Sequence, residues 1–267
     1  MQLELVSQQP ETMVSPTPLL FVHGAWHAAW CWEPYFLPYF AQHGYACYAL
    51  SLRGHGSSEG RERLRWWRVA DYVADVTQVA ASLPAPPIII GHSAGGFVVQ
   101  KYLETHPAPA AVLLASVAPG GLLPIVLTMA AHHPLVFLRA LPTLDMRRLV
   151  GTPALSREWL FSANMPADQV AQFAEQMQNE SFLAFMDMAL LRLVRRSKIR
   201  TPLLVLGAEC DRLTPPRTIE ATARAYGAPV QIFPGMAHDM MLEPDWAAAA
   251  ERILAWLGQQ PPATSRQ

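Results

Sequence analysis

Three residue types that together perform nucleophilic catalysis, a serine, a histidine and a carboxylate, each follow an apolar run in this chain. The serine is Ser93, in Gly91-His92-Ser93-Ala94-Gly95, between Ile88-Ile89-Ile90 and the segment Phe97 to Glu104. The β-branched run reads as a strand buried on both faces, and the mixed segment as a helix that ends before Pro107. Reversal from strand to helix within about five residues forces a strained turn that holds a serine hydroxyl out at the top of a parallel sheet. Gly91 and Gly95 omit the Cβ atoms that would clash there. A serine so placed needs a base, a group that orients the base, and donors for a developing oxyanion. Asp211 comes just after the run ending at Gly207, and His238 just after the run ending at Phe233. Both fall in loops at the carboxyl ends of late strands, the edge at which Ser93 emerges.

The elements that must position these residues are legible as an alternation. Apolar strand runs at Leu19–Val22, Tyr45–Leu50, Ile88–Ile90, Ala110–Ala115, Pro202–Gly207 and Val230–Phe233 are separated by helical patterns. Helices are expected over Trp30–His43, Trp67–Leu83, Pro216–Tyr226 and Asp245–Leu257, and a possible edge strand over Leu3–Val6. Such alternation gives an α/β fold with a doubly wound, mostly parallel sheet and right-handed crossovers. Between Pro119 and Arg200 it stops, and helical segments such as Asp168–Gln178 and Ser181–Arg195 replace it. This stretch holds six of the eleven methionines, a soft, adaptable lining or the ordinary core of a small helical unit. The division expected is a core from 1–118 and 201–258, a helical cap insertion over 119–200, and a flexible tail over 259–267.

With these residues in hand, the chain resembles the α/β-hydrolase family, in its serine-nucleophile branch with a helical cap (esterase- and lipase-like), over roughly residues 18–258. The shared motifs are His23-Gly24-Ala25-Trp26, Arg53-Gly54-His55-Gly56-Ser57, the Ser93 turn, Gly207 to Asp211, and Gly235 to His238. The resemblance implies Ser93 as nucleophile, His238 as general base and Asp211 as its orienter, with the backbone N–H groups of Ala25 and Ala94 as the oxyanion hole. Trp26, His27 and Trp30 follow the oxyanion loop and are candidates either to line the substrate pocket or to be buried beneath the cap. Relatives often carry Asp where this chain has Ser51, which puts a loop-bracing contact in question. A serine nucleophile excludes the haloalkane dehalogenases and epoxide hydrolases of similar fold, which use Asp. Of the acids near His238, Asp211 is expected to orient it rather than Glu209 or Asp239, since Leu213-Thr214-Pro215 would hold Asp211 rigidly.

The reaction so implied is hydrolysis of carboxylic esters of hydrophobic small molecules through an acyl-enzyme. Lactonase, thioesterase, C–C hydrolase, hydroxynitrile lyase and perhydrolase activities use nearly the same triad, and a non-enzymatic ligand receptor on this scaffold is the remaining alternative. Composition narrows the rest. A net charge of −1 argues against nucleic acid as a partner, and no run approaches ~18 uninterrupted apolar residues, so no membrane span is expected. The first residues lack a basic region followed by an apolar one, and three unpaired cysteines (Cys31, Cys47, Cys210) fit a reduced, cytoplasmic setting. No zinc signature is present and Gly54 to Gly60 misses the dinucleotide spacing by one residue, so no cofactor and no metal are expected. His23 is expected to brace the oxyanion loop, His92 to pack, His55 to hydrogen-bond within its loop, and His132 and His133 to lack carboxylate neighbours. The four arginines of Arg61 to Arg68 read as a solvated face or as a dock for an anionic substrate tail. The sequence leaves the oligomeric state open.

Overall fold

The computed structural model describes residues 1–260, so the end of the expected tail lies outside the described residues. Seven strands form one sheet: β1 (Leu5–Gln8), β2 (Leu19–Val22), β3 (Cys47–Leu50), β4 (Ile88–His92), β5 (Ala111–Leu114), β6 (Leu203–Ala208) and β7 (Val230–Phe233). Their spatial order is β1-β3-β2-β4-β5-β6-β7, with β1 antiparallel to β3 and every other pair parallel. β2 pairs with β3 on one side and β4 on the other, Leu20 facing Tyr48 and Ile89. The chain therefore reverses its winding there, and the carboxyl ends of β2 and β4 border a crevice. β2, β4 and β5 are buried throughout, as the apolar runs Leu19–Val22, Ile88–Ile90 and Ala111–Leu114 require of strands covered on both faces.

Helices α1 (Phe36–Gln42), α2 (Val69–Ser82) and α3 (Ser93–Leu103) cover the first half of the sheet. Between β5 and β6 lie α4 (Leu123–His132), α5 (Pro134–Ala140), α6 (Pro153–Leu160), α7 (Ala167–Gln176) and α8 (Phe182–Met186), and α9 (Pro216–Tyr226) and α10 (Trp246–Leu257) complete the second half. Among the described residues, no single helix is long and apolar enough to cross a membrane.

Some boundaries differ from the sequence reading, for identifiable reasons. The first strand is Leu5–Gln8 rather than Leu3–Val6, because its antiparallel register seats Leu5 on Leu50 and leaves Glu4 to the neighbouring loop. The helix expected over Trp30–His43 is two pieces. A 3₁₀ turn over Ala29–Trp32 ends just before Pro34, and α1 begins at Phe36. The helix expected from Trp67 starts at Val69, where the Asp71 carboxylate accepts the Arg68 amide N–H at 2.8 Å. The Ser181–Arg195 helix is α-helical only to Met186 and closes in a wider π-type turn over Asp187–Leu191. Five of the six methionines of the helical stretch, Met129, Met146, Met165, Met177 and Met188, are buried.

Candidate active site

Ser93 is the first residue of α3 and has φ of +50°, a left-handed conformation that a serine adopts only where its surroundings impose it. Close approach does the imposing. A Cβ added at Gly95 would lie 2.2 Å from the His23 carbonyl oxygen, so helix and oxyanion loop meet backbone to backbone. The hydroxyl this turn presents donates to His238 Nε2 at 2.9 Å, and His238 Nδ1–H donates to Asp211 Oδ2 at 2.7 Å. Ser93, Asp211 and His238 are thus brought into one hydrogen-bonded line from three loops of the same sheet edge.

Asp211 is fixed from all sides. Its Oδ1 accepts the amides of Leu213 and Thr214, both at 2.8 Å, and its Oδ2 accepts the Thr214 hydroxyl at 2.6 Å. Burial alone would raise its pKa, but the His238 charge and these hydrogen bonds outweigh it and hold the carboxyl below its ordinary range. Burial likewise pushes His238 down, and the Asp211 charge and hydrogen bond, with the charge of Asp239, carry it above its ordinary 6.5. The other two acids are engaged elsewhere. Glu209 accepts the Gly235 amide at 2.9 Å, and Asp239 Oδ2 lies 3.0 Å from His27 Nε2.

The loop after β2 carries Ala25 beside this line. Among the described residues neither the Ala25 nor the Ala94 amide donates to an acceptor within the protein. His23 braces the loop as a neutral imidazole. Its Nδ1–H donates to the Gly24 carbonyl at 2.8 Å and its Nε2 accepts the Leu52 amide at 3.0 Å, with burial lowering its pKa to about 3. Where relatives place Asp, the Ser51 hydroxyl donates to Glu4, whose other oxygen accepts from Ser57 at 2.7 Å, and Ser51 Oγ accepts the Ala29 amide at 2.9 Å. The bracing carboxylate thus comes from the residue just before β1.

The residues after Ala25 separate in role. Trp26 has φ of +67°, and its indole N–H donates to the Met146 carbonyl at 3.1 Å while its ring packs on Phe185. Trp30 is partly buried and stacks on Phe173, which stacks on Phe161. His27, the third of these candidates, is buried: its Nδ1–H donates to the Ala25 carbonyl at 2.7 Å and its Nε2 faces Asp239. The chain turns at Trp26, and Trp26 and His27 pack against different partners, Phe185 and Asp239.

Several contacts had no sequence signal. Glu180, a lone acid between two helical segments, is buried, accepts the Tyr72 hydroxyl at 2.8 Å and the Ser181 amide at 2.7 Å, and lies 3.2 Å from His55. His55 thus faces a carboxylate through Nε2 while its Nδ1–H donates to the Arg53 carbonyl of its own loop at 3.2 Å. His133, at the break between α4 and α5, also has a carboxylate neighbour, Glu158 of α6 at 2.7 Å, a meeting of separate segments that the sequence does not signal. Of the arginine run, Arg68 pairs with Asp187, and Arg61 and Arg65 join Arg147 and Arg148 along a surface cleft of about 690 Å³. His92, His238 and Asp239 could offer three ligand atoms within 4.8 Å of one another. Both His238 nitrogens are already committed to Ser93 and Asp211, however, and His92 Nε2–H donates to the His238 carbonyl at 3.0 Å.

This fold and site define a class, and comparison with known proteins names it. The profile of the alpha/beta hydrolase family matches residues 19–250, and the chain belongs to that family. It is similar to a monoacylglycerol lipase of Mycolicibacterium smegmatis, 25% identical over 230 residues, covering 82% of this chain and 80% of that protein. It is also similar to a putative non-heme bromoperoxidase of Mycobacterium tuberculosis, 31% identical over 102 residues, a match spanning 38% of that protein. The crystal structure of the Mycobacterium tuberculosis bromoperoxidase superposes with a TM-score of 0.78 at 22% identity, covering 98% of this chain and 97% of that one. An esterase from Exiguobacterium antarcticum superposes with a TM-score of 0.76 at 17% identity, covering 96% and 95%.

Proposed function

We propose that the protein is a serine hydrolase that cleaves carboxylic esters of hydrophobic small molecules through an acyl-enzyme. The observation that carries this reading is the continuous line from Ser93 Oγ through His238 to Asp211, at 2.9 and 2.7 Å. Ser93 attacks the ester carbonyl as His238 Nε2 takes its proton. The tetrahedral oxyanion accepts from the Ala25 and Ala94 amides, which have no competing acceptor to leave. His238 then protonates the departing alkoxide, and the alcohol leaves. In the second half His238 activates water, which attacks the acyl carbonyl, and the proton returns to Ser93. Asp211 holds the Nδ1–H tautomer and stabilises the imidazolium in both halves.

The helical stretch over 119–200 is the cap in this reading. It is tied to the loops of the site by the Gln178 amide on the Trp26 carbonyl at 2.8 Å, the Asp239 amide on the Leu160 carbonyl at 2.9 Å, and the Ser162 amide on Glu243 at 2.7 Å. Trp26, Trp30, Phe161, Phe173 and Phe185 form an aromatic layer between loop and stretch, which favours an apolar acyl or alcohol group. The names of the similar lipase and esterase agree with ester chemistry.

The test is a hydrolysis panel of p-nitrophenyl esters from acetyl to octanoyl, with lactones and acyl thioesters alongside. Each buried methylene contributes about 0.8 kcal/mol, so kcat/KM should rise from acetyl into medium chains before it levels. A steady fall from acetyl to octanoyl contradicts an apolar acyl site, and turnover of lactones or thioesters alone contradicts the ester assignment.

A further inference from the structure

A second histidine–carboxylate pair lies directly behind the Ser93–His238–Asp211 line. His27 and Asp239 are 1% and 0% exposed, and His27 Nε2 is 3.0 Å from Asp239 Oδ2. A buried carboxylate persists only where partners replace its water, and here the partner is a residue of the oxyanion loop. His27 Nδ1–H also donates to the Ala25 carbonyl at 2.7 Å, so one imidazole joins that loop to the residue after His238. The His27 amide donates to the Gly24 carbonyl at 3.4 Å. Gly24 C=O and Ala25 N–H share one rigid peptide plane, so the direction of the Ala25 N–H is set by what holds the Gly24 and Ala25 carbonyls.

Asp239 is itself anchored. Its amide donates to Leu160, and its carbonyl accepts the amides of Leu242 at 2.7 Å and Glu243 at 3.2 Å. Its second oxygen lies 3.7 Å from His92 Nε2, whose N–H donates to the His238 carbonyl at 3.0 Å. His92 is neutral, its pKa lowered to about 3 by burial and then by the neighbouring His238 charge, which suits a single N–H donor. Three backbone segments that must keep register during the reaction, 24–27, 92–93 and 238–239, are thus joined by His27, Asp239 and His92. Neither His27 nor Asp239 is bonded to Ser93 Oγ or to a ring nitrogen of His238.

We propose that His27 and Asp239 form a positioning pair that locks the Ala25 oxyanion donor in register with the His238 loop. The proposal rests on the triad reading above. Breaking the pair frees the peptide planes at Gly24 and Ala25 and lets the donor drift from the oxyanion. The loss falls on the chemical step and not on ground-state binding, since the oxyanion exists only there.

The experiment is a double-mutant cycle read in kcat and KM on one p-nitrophenyl ester: His27→Gln, Asp239→Asn, the double variant, and Ser93→Ala as reference. Thermal melts set the folded fraction for each. Misplacement of a catalytic group by about 1 Å costs up to ~10²-fold, so each single variant should lose roughly 10- to 100-fold in kcat with KM within about threefold. The double variant should be no slower than the slower single, because both remove the same link. Singles that keep kcat within about threefold per folded molecule overturn the proposal. So do losses confined to KM, and a double variant whose losses multiply. If Asp239→Asn does not fold, His27→Gln alone decides by the same criterion. Activity in Ser93→Ala would sink the triad reading, whereas an inactive Ser93→Ala beside fully active pair variants would sink only the positioning pair.

Discussion

Two regions of this molecule hold their side chains by different means. Around Ser93, polar groups are fixed by short hydrogen bonds to backbone: Asp211 to the amides of Leu213 and Thr214, His23 to Gly24 and Leu52, His92 to the His238 carbonyl. In the helical stretch over 119–200, five buried methionines fill the interior, and Leu127, Leu135, Leu138, Leu190, Leu191 and Leu193 face outward. The sheet edge is a geometry that one wrong atom disrupts, as Gly95 against the His23 carbonyl shows. The helical stretch is a volume that adaptable side chains fill, and volume tolerates exchange. The stretch becomes exacting where buried charges tie it down, at Glu180 and at Asp187.

The contrast breaks most visibly at Ser93. Ser93→Ala should lower kcat by ~10⁴-fold or more while leaving the melting temperature nearly unchanged, and retention within tenfold would remove Ser93 from the chemistry. Asp211→Asn should cost about 10²- to 10⁴-fold in kcat by freeing the imidazole tautomer. It should also move the acidic limb of kcat/KM. Asp211 raises the His238 pKa above 6.5, the base must be neutral to act, and so losing the carboxylate shifts the limb to lower pH. A limb that stays in place or moves upward contradicts that assignment.

At Glu180 the effect should appear in stability. Burial raises the Glu180 pKa, but His55, by charge and hydrogen bond, and then the Ser181 amide and Tyr72 hydroxyl lower it to about 2, from 4.5. A depressed carboxyl stabilises the fold fully above its unfolded pKa and loses that contribution as pH falls from about 4.5 toward 2. Breaking a buried pair costs about 3–5 kcal/mol, so Glu180→Gln should lower Tm by roughly 10 °C at pH 6. The deficit should shrink on acidification toward pH 3, and a pH-independent deficit would mean that packing rather than charge is lost. The smallest effect belongs to the methionines. Met177→Leu conserves volume and should cost under ~1.5 kcal/mol with kcat within about threefold. A larger catalytic loss would show that Met177 shapes the site as closely as the sheet edge does.

The same contrast explains what the sequence disclosed. The strands were readable because a strand covered on both faces must be continuously apolar, and the Ser93 turn because Gly91 and Gly95 are required by close approach. Asp211 and His238 were readable because each follows such a strand, and the structure brings both to Ser93. His27 stayed open between pocket lining and burial because sequence proximity to Ala25 does not reveal that the chain turns at Trp26, where φ is +67°. Glu180, His133 and the Glu4–Ser51 contact were invisible for a shared reason. Each pair bridges segments at least 25 residues apart, and no local periodicity records such a meeting.

The central claim, that Ser93 carries the acyl group between the two halves of the reaction, is tested most directly by mass. The protein is mixed with a p-nitrophenyl ester, quenched in acid within the first turnover, and its intact mass and active-site peptide are measured. The expected result is a mass increase equal to one acyl group, located on Ser93 and lost in Ser93→Ala. Rapid product release with no adduct at any quench time, or an adduct on another residue, would contradict it.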